Sequence, residues 1–451
     1  MRRFTIGTAL GLLARGGGIL KTPPRGRFPA RFRAALLPLL LLTSSAALGA
    51  GEEAPEAEFR ELVTEALRNN PDLQVARREL DAAQSRVSPA GALDDPMLEA
   101  GVVNLPVQSL SFRTEDMTMK MIGLTQRLPY PGKRALRRDL AGKEAEAAGN
   151  NYQEAANRVT RDVKIAYFDL SSVDESVRLV EKNKRILEQF FSIVEARYAV
   201  GQGSQADVLK ARTQLSRMMD ELIKLGRERP MIEAELNRAL GRVSAPAAVT
   251  TQHPRAREVA LRLEDLRDLA RTHRPQLLAQ QSMVERNAKA LDLARQDYYP
   301  DFDVRLSYGQ RDNNMDMRRE DMVSLTVAIN LPIWRESKRG PRVAEAEAMR
   351  DQAGRMFDAR VNEINAMLRQ QVASAEQTLK SARLYETGIL PQARLTVEAS
   401  LAAYRVNRVD FFTLLDNQMT VLNYEIAYVA SLTSHNKALA EIEFLTGKTL
   451  F

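Results

Sequence analysis

Residues 163–204 read VKIAYFDLSSVDESVRLVEKNKRILEQFFSIVEARYAVGQGS, a stretch that predicts one long helix ending in a tight turn. Apolar or aromatic residues, with Lys184 as the exception, recur at alternating intervals of three and four: Val163, Ala166, Leu170, Val173, Val177, Val180, Lys184, Leu187, Phe191, Val194 and Tyr198. This spacing is typical of a coiled-coil seam. The helical pattern runs from about Gly132 to Ala199, and at ~1.5 Å per residue it predicts a rod of roughly 100 Å. Such a rod cannot fold back into one compact domain.

The turn after this helix is the segment Tyr198-Ala199-Val200-Gly201-Gln202-Gly203-Ser204, and its counterpart is Tyr404-Arg405-Val406-Asn407-Arg408-Val409-Asp410. Gly201 and Asn407 each stand three places after the tyrosine, where the end of a helix favours a left-handed residue. Ser204 and Asp410 can then cap the helix that returns. The glycines superficially fit a dinucleotide-binding loop, but that motif must follow a strand. Both segments are therefore predicted to be tips of helical hairpins.

The two turns belong to a longer internal repeat. Six landmarks recur in one order at offsets of 203 to 206 residues: Pro71 and Pro275, Pro96 and Pro300, Pro129 and Pro332, Tyr198 and Tyr404, Leu209 and Leu415, Gly241 and Gly447. A fixed period of this kind indicates a tandem duplication. We therefore expect a first repeat at residues 57–242, a linker at 243–260 and a second repeat at 261–448.

Each repeat has the same predicted order of helix, two strands, long helix, tip and returning helix. The first helix is predicted from Glu58 to about Val87 and again from Leu263 to about Gln296, and the second long helix from about Pro341 to Arg405. Alternating apolar and polar residues predict strands at about 97–104, 118–128, 302–308 and 323–331. The same alternation would also suit a half-buried soluble sheet. Because two strands per repeat cannot close a barrel, any barrel must be shared between subunits.

The first 50 residues carry eight cations and no acid. Subtracting these charges from the formal net charge of +7 leaves about −1 for residues 51–451, so no basic excess remains to favour nucleic acid as a partner. Two arginines, an apolar run from Ala34 to Leu42 and a group of small residues predict an export signal at residues 1–50, cleaved between Ala47 and Ala50. A membrane anchor is the alternative, but the run is far shorter than the ~20 residues that a spanning helix needs.

Few residues in the sequence point to catalysis. The chain has no cysteine, and His253, His273 and His435 occur in unrelated settings, so neither an enzyme nor a bound cofactor is predicted. Met117, Met119 and Met121 recur at period two, and Met315, Met317 and Met322 occupy the equivalent region of the other repeat. Thioethers suit Cu(I) or Ag(I), which makes the first three candidate metal ligands. The more ordinary interpretation is flexible apolar filling.

The duplicated unit and its motifs resemble the TolC family of outer-membrane channels over nearly the whole mature chain. The segments that carry this resemblance are the two tips with Val208-Leu209 and Leu414-Leu415-Asp416-Asn417-Gln418, and Asp95-Pro96-Met97 and Tyr299-Pro300-Asp301 before the strands. Residues 126–134, QRLPYPGKR, are similar to the exit from the second strand in members that often accompany heavy-metal pumps. The order and spacing of these motifs together are specific to the family.

The resemblance implies a mainly α fold with a small β part. Three chains would form a homotrimer with a shared twelve-stranded β-barrel in the outer-membrane lipid, continued by a long periplasmic α-barrel. A periplasmic adaptor protein would grip the helical tips and link them to an inner-membrane pump. The expected function is passive conduction of cargo, a metal ion, a drug or a protein, in tripartite efflux or type I secretion.

The resemblance also assigns roles to residues of the tips. Phe412 and Asp416 match positions that line the narrow periplasmic aperture, where three carboxylates would favour cations. Contacts with the adaptor are expected from Tyr198, Gly201, Gly203, Ser204, Tyr404, Asn407 and Asp410. Two departures stand out: Asn407 replaces the usual glycine, and Val409 stands where some members place an arginine that latches the tip closed. That latch is therefore not expected here.

The alternative function is that of a soluble periplasmic coiled-coil adaptor or scaffold protein. Such a protein would account for the long helices and the export signal. It would not need four strands in two duplicated pairs, or strand faces that are apolar without an evident covering element. The four strands therefore favour the channel.

Overall fold

The computed structural model describes residues 54–242, 249–257, 259–314 and 317–450. The predicted export signal, residues 243–248 and 258 of the predicted linker, and Met315 lie outside the described residues. The helices are α1 (Ala54–Asn69), α2 (Pro71–Ala90), α3 (Lys133–Ala199), α4 (Gln205–Leu240), α5 (Leu263–His273), α6 (Pro275–Gln296), α7 (Gly340–Leu384), α8 (Leu390–Arg405) and α9 (Phe411–Thr446). The strands are β1 (Met97–Val103), β2 (Met119–Leu128), β3 (Phe302–Gln310) and β4 (Met322–Ile329).

The first helix of each repeat is broken, which the sequence analysis missed. The predicted helix from Glu58 to Val87 is two helices, α1 and α2, because Pro71 has no N–H and Asn70 before it is extended, with ψ at 123°. The Asn70 side chain then caps α2 by accepting the backbone N–H groups of Asp72 and Leu73. In the second repeat, Pro275 separates α5 from α6 in the same way.

The two long helices differ from each other. The helix predicted from Gly132 to Ala199 is confirmed as the unbroken 67-residue α3. Its counterpart, predicted as continuous from Pro341 to Arg405, is interrupted by a π-helical turn at Tyr385–Ile389. Pro391 follows this turn, and because proline lacks an N–H and its ring clashes with the carbonyl four residues earlier, a wider turn accommodates it.

The four strands form one antiparallel sheet in the order β1-β2-β3-β4, so the strands of the two repeats pair through β2 and β3. The register aligns Gly101 with Met121, Met121 with Gly309, and Gly309 with Met322. One face of the sheet is apolar and exposed: Leu98, Val102, Ile122, Leu124, Leu306, Tyr308, Val323, Leu325, Val327 and Ile329. The opposite face is largely polar: Glu99, Thr125, Asp303, Arg305, Ser307, Ser324 and Thr326.

The returning helices end on equivalent backbone contacts. Gly241 follows α4 with φ at 72°, and a Cβ there would lie 2.6 Å from the carbonyl oxygen of Asn69. Gly447 follows α9 with φ at 71°, and its Cβ would lie 2.7 Å from the carbonyl oxygen of His273. In each repeat a glycine therefore lets a long helix end directly against the break in the first helix.

Buried apolar residues hold the helices together along their length. The predicted seam of α3 is largely buried, and it packs near the tips against α4, α8 and α9 through residues such as Val180, Leu187, Met218 and Leu414. Asn183, one position before the seam residue Lys184, is buried and accepts a hydrogen bond from Gln418 of α9. Among the described helices, none combines the length and the apolar character needed to cross a membrane.

Candidate functional site

The two hairpin tips have the backbone that their sequences predict. Gly201 and Asn407 are both left-handed, with φ at 74° and 59°. The Ser204 hydroxyl accepts the N–H of Ala206 at 3.0 Å, and the Asp410 carboxylate accepts the N–H of Thr413 at 2.8 Å. The predicted turn and cap geometry is thus confirmed at both tips. Gly203 is required for a different reason, since a Cβ there would lie 3.0 Å from the backbone nitrogen of Tyr198.

The tyrosines that begin the two tips lie in opposite environments. The Tyr198 side chain is 46% exposed, whereas that of Tyr404 is 6% exposed. The Tyr404 ring packs against that of Phe411, with 5.8 Å between the ring centroids, and burial raises the pKa of its hydroxyl. Of the tip residues predicted to contact an adaptor, Tyr404 therefore presents little surface, while Tyr198 presents much.

Arg197 joins the two tips, a role that sequence reasoning missed. Its guanidinium lies 4.8 Å from the centroid of the Tyr404 ring and donates to the Tyr404 carbonyl oxygen at 2.8 Å. It also donates to the side-chain oxygen of Asn407. At the repeat offset of 206, the second hairpin has Ala403 where the first has Arg197. This difference between the repeats is the sequence feature that could have pointed to Arg197. Asn407 thus has the same left-handed backbone as Gly201 and adds a hydrogen-bond acceptor.

The predicted aperture residues share one exposed face of α9. Phe412 is 54% exposed and Asp416, one helical turn later, is also exposed, while Phe411, Leu414 and Leu415 face the core. The ammonium nitrogen of Lys210, on α4 of the other hairpin, lies 4.5 Å from the centroid of the Phe412 ring. At the repeat offset of 206, Lys210 is the counterpart of Asp416. Asp416 and Lys210, which occupy equivalent positions of the two repeats and both lie near Phe412, therefore carry opposite charges.

A buried lysine joins the sheet to the helices. Lys133 begins α3, its side chain is 3% exposed, and its ammonium nitrogen lies 2.9 Å from an oxygen of Asp301 and 3.4 Å from one of Asp297. The carboxylate of Asp301 also accepts the N–H of Tyr130 at 2.9 Å. Burial acts to raise the pKa of Asp301, but the hydrogen bonds from Tyr130 and Lys133 outweigh it, so the pKa lies below its ordinary value.

The same junction explains why the segment QRLPYPGKR has its particular residues. Tyr130 stacks on Tyr299 of the other repeat, with 4.6 Å between the ring centroids. Gly132 has φ at 95°, and a Cβ there would lie 2.9 Å from the side-chain nitrogen of Gln296. The segment therefore locks the exit from β2 onto the entry to β3.

At the far end of the sheet, Arg319 ties two connecting loops together. Its side chain is 3% exposed and donates to the Asp116 carboxylate at 2.6 Å. It also donates to the backbone carbonyl oxygens of Arg113 and Glu115, each at 3.2 Å. The loop between β1 and β2 is therefore held to the loop between β3 and β4.

The candidate metal ligands lie at this end of the sheet. Met119 and Met121 are half-buried on the polar face of β2, whereas Met117 precedes the strand and is 50% exposed. On the same face, Arg305 forms an ion pair with Glu99 at 2.5 Å. Within the described ranges, no group of three or more histidine, aspartate or glutamate residues is arranged to hold a metal ion.

Comparison with known proteins covers most of the chain. The model of a family described as outer membrane efflux protein matches residues 62–242 and 266–448. The cobalt-zinc-cadmium resistance protein CzcC of Cupriavidus metallidurans is 23% identical over 382 residues, which are 84% of this chain and 87% of that protein.

Solved structures share the fold at lower identity. The crystal structure of CusC superposes with a TM-score of 0.74 at 14% identity, over 87% of this chain and 92% of that one. The outer membrane protein VceC of Vibrio cholerae superposes with a TM-score of 0.73 at 17% identity, over 88% of this chain and 98% of that one. The architecture of two duplicated hairpins and a shared sheet is thus one that these proteins have in common.

Proposed function

The chain belongs to the outer membrane efflux protein family, and from that premise we propose that it conducts metal cations and that Phe412, Asp416 and Lys210 form its gate. As a member of this family it is an outer-membrane channel subunit of a tripartite efflux system. It acts as a homotrimer with a periplasmic adaptor and an inner-membrane pump, and a long helical part lies in the periplasm.

The single observation that supports the channel mechanism most strongly is that the sheet has one apolar face and one polar face. Its apolar face exposes large side chains, among them Val323 and Leu325, each 71% exposed, which water would solvate poorly. Among the described strands, β1 and β4 are the outer ones and each pairs with one neighbour, so a copy of the chain on either side can continue the ladder. Three sheets would supply twelve strands, with the apolar face toward lipid and the polar face toward the lumen.

Similarity to CzcC supports metal cations as the cargo. That relative is described as a cobalt-zinc-cadmium resistance protein, and the similarity spans 84% of this chain. A strain without this gene should accumulate cobalt, zinc or cadmium, and the wild-type gene should restore normal contents, as measured by elemental mass spectrometry of washed cells. Unchanged metal contents in the deletion strain would exclude these cations as cargo and leave the channel itself unaffected.

The gate follows from the positions of three exposed side chains. Threefold symmetry would bring three Phe412 rings, three Asp416 carboxylates and three Lys210 ammonium groups toward one axis. The carboxylates attract cations into the constriction, and the lysines oppose them. The constriction would therefore be lined by alternating negative and positive side chains. Its ion selectivity would depend on the balance between the Asp416 carboxylates and the Lys210 ammonium groups.

Planar-bilayer recordings test this assignment. The double variant Phe412→Ala with Asp416→Ala should raise the conductance and weaken cation preference, whereas Lys210→Gln should strengthen cation preference. Asp220→Ala, an exposed carboxylate on the shaft of α4, serves as the matched control and should change neither property. If the gate variants behave like this control, the narrow gate lies elsewhere in the channel.

A further inference from the structure

Three methionines surround one glycine on the polar face of the sheet. In the register, Met121 of β2 lies opposite Gly309 on one side, and Met322 of β4 lies opposite Gly309 on the other. Met119 precedes Met121 by two residues, so it shares the same face of β2. The three side chains therefore project from the same side of the sheet around a central position that has no side chain.

Gly309 provides the space into which these thioethers can converge. The sulfur of Met119 lies over Gly309, 2.5 Å from where a Cβ would stand. Residues directly opposite in neighbouring strands are about 5 Å apart, so the long side chains of Met121 and Met322 can both reach the space above Gly309. Any larger residue at position 309 would displace Met119 and fill that space.

From this arrangement we infer that Met119, Met121 and Met322 form a binding site for a soft monovalent cation, Cu(I) or Ag(I). Thioethers are soft, uncharged ligands that select Cu(I) over ions that prefer nitrogen or oxygen. Met322 is 39% exposed and the two methionines of β2 are half-buried, so none of the three residues is fully covered in the chain. Met117 is not part of the site, because it lies outside the strand.

The neighbouring charges are compatible with a bound cation. The Met121 sulfur lies 4.0 Å from a guanidinium nitrogen of Arg305, and that guanidinium is paired with the Glu99 carboxylate at 2.5 Å. The pair is neutral as a whole, so Arg305 does not present an uncompensated charge to the site. In the structure the Met121 sulfur accepts from Arg305, so binding an ion requires the Met121 side chain to rotate toward Gly309, which the unbranched methionine chain allows readily.

The site goes beyond the cobalt, zinc and cadmium cargo proposed above, and it rests on the proposed channel for its place in the lumen. If the polar face lines the lumen, each trimer holds three such sites where cargo leaves the channel. A soft cation would then be held by several weak ligands along its exit path, which favours passage over tight retention. Cobalt and zinc would pass this point without binding.

Silver titration of the purified full-length trimer in chloride-free detergent buffer tests the inference. Calorimetry of the wild type should show binding of roughly one Ag(I) ion per chain. The variant Met119→Leu/Met121→Leu/Met322→Leu should lose this binding or weaken it by more than about tenfold, a change of about 1.4 kcal/mol. A control with the same substitution at three exposed helical methionines, Met219→Leu/Met231→Leu/Met356→Leu, should bind as the wild type does.

Trimer assembly and conductance of the variants distinguish loss of the metal site from loss of the folded channel. Leucine is close to methionine in volume, so the triple variant should remain a trimer with normal conductance in metal-free buffer. If it does not assemble, the single variant Met322→Leu, at an exposed position, takes its place and should also weaken Ag(I) binding. Wild type that conducts normally but binds no Ag(I), or equal binding by all variants, would overturn this site alone; wild type that does not conduct would overturn the channel instead.

Discussion

The tip of the first hairpin and the tip of the second follow the same backbone path but use their tyrosines differently. Both turns have a left-handed residue three places after the tyrosine and a capping side chain three places later. Tyr198 nevertheless faces outward, while Tyr404 is buried beside Phe411 and under Arg197. The two repeats thus share the residues that the turn needs, a left-handed residue and a helix cap. Their other tip side chains differ because they contact different neighbours.

The opposite ends of the same hairpins show where the repeats have stayed alike. Gly241 and Gly447 meet the backbone of the first helices at nearly equal distances. No side chain takes part in these two contacts, so divergence of side chains cannot alter them. The two repeats are therefore expected to respond alike to substitutions at these glycines and unlike to substitutions at the tips.

Alanine at each tyrosine position should have very unequal effects. Tyr404→Ala removes a buried ring and should lower the free energy of unfolding by about 3–5 kcal/mol, whereas Tyr198→Ala should cost less than about 1 kcal/mol. Thermal unfolding of the trimer followed by circular dichroism measures both. Similar costs for the two variants would show that assembly buries Tyr198 as deeply as folding buries Tyr404.

Alanine at the two glycines should have equal effects. Gly241→Ala and Gly447→Ala each place a Cβ against a fixed backbone at positive φ, which should cost about 2–4 kcal/mol. Gly226→Ala, within α4 and with open space around it, is the matched control and should stabilise the protein by roughly 0.5–1 kcal/mol. A difference of several kcal/mol between the first two would mean that the two contacts are not equivalent.

The ion pair at the junction has no counterpart in the other repeat. The repeat offsets place Met97 where Asp301 would be and Glu336 where Lys133 would be. Asp301→Asn should therefore lower the free energy of unfolding at neutral pH by about 1–2 kcal/mol, because a hydrogen bond to a charged group is lost. Asp303→Asn, at an exposed position nearby, should have little effect.

The sign of the pH dependence follows from the lowered pKa of Asp301. Its contribution to stability is fully present above the ordinary value of 3.8 and is lost as the pH falls through the lower pKa of the folded state. The difference in stability between the wild type and Asp301→Asn should consequently be constant from neutral pH down to about pH 5 and shrink below pH 4. A difference that grows with acidification would contradict the assigned ion pair.

Arg197 should make the smallest contribution of the four. Arg197→Gln removes a half-exposed link between the tips and should cost about 1 kcal/mol, with faster amide hydrogen exchange at Asn407. Asn407→Gly keeps the left-handed backbone but removes the acceptor, so a double-mutant cycle between the two should give a coupling of roughly 0.5 kcal/mol or more. Additive effects would show that the two side chains do not act together.

Local patterns predicted much of the backbone. The three-and-four spacing identified α3 within one residue, and alternation located the four strands to within a few residues. The break before Pro71 was missed because the apolar periodicity continues through it. The π-helical turn at Tyr385–Ile389 was missed for a similar reason, since one extra residue in a turn hardly disturbs a 3.6-residue pattern.

The candidate site was predicted unevenly. Phe412 and Asp416 were recognised by position, and the structure leaves both exposed, but their role at the gate remains a prediction. Lys210 and Arg197 were not recognised, because their partners lie on the other hairpin, roughly 200 residues away in sequence. Of the methionines predicted as metal ligands, Met119 and Met121 lie in β2 on the same face as Met322, whereas Met117 precedes the strand. Metal binding by any of them stays a prediction.

The sequence by itself determined the repeat, the helical seams, the turn chemistry of the tips and the two faces of each strand, because each of these depends on residues within a few positions of one another. Only the tertiary structure decided the order of the strands, the pairing of Lys133 with Asp301, the burial of Tyr404 and the position of Met322 beside Gly309. Those features depend on which segments, distant in sequence, come into contact. Because the two repeats have the same local pattern, that pattern is compatible with more than one way of pairing them. Packing of the two hairpins against each other selects among these arrangements, since the two repeats differ in the side chains that must fit at their shared boundary.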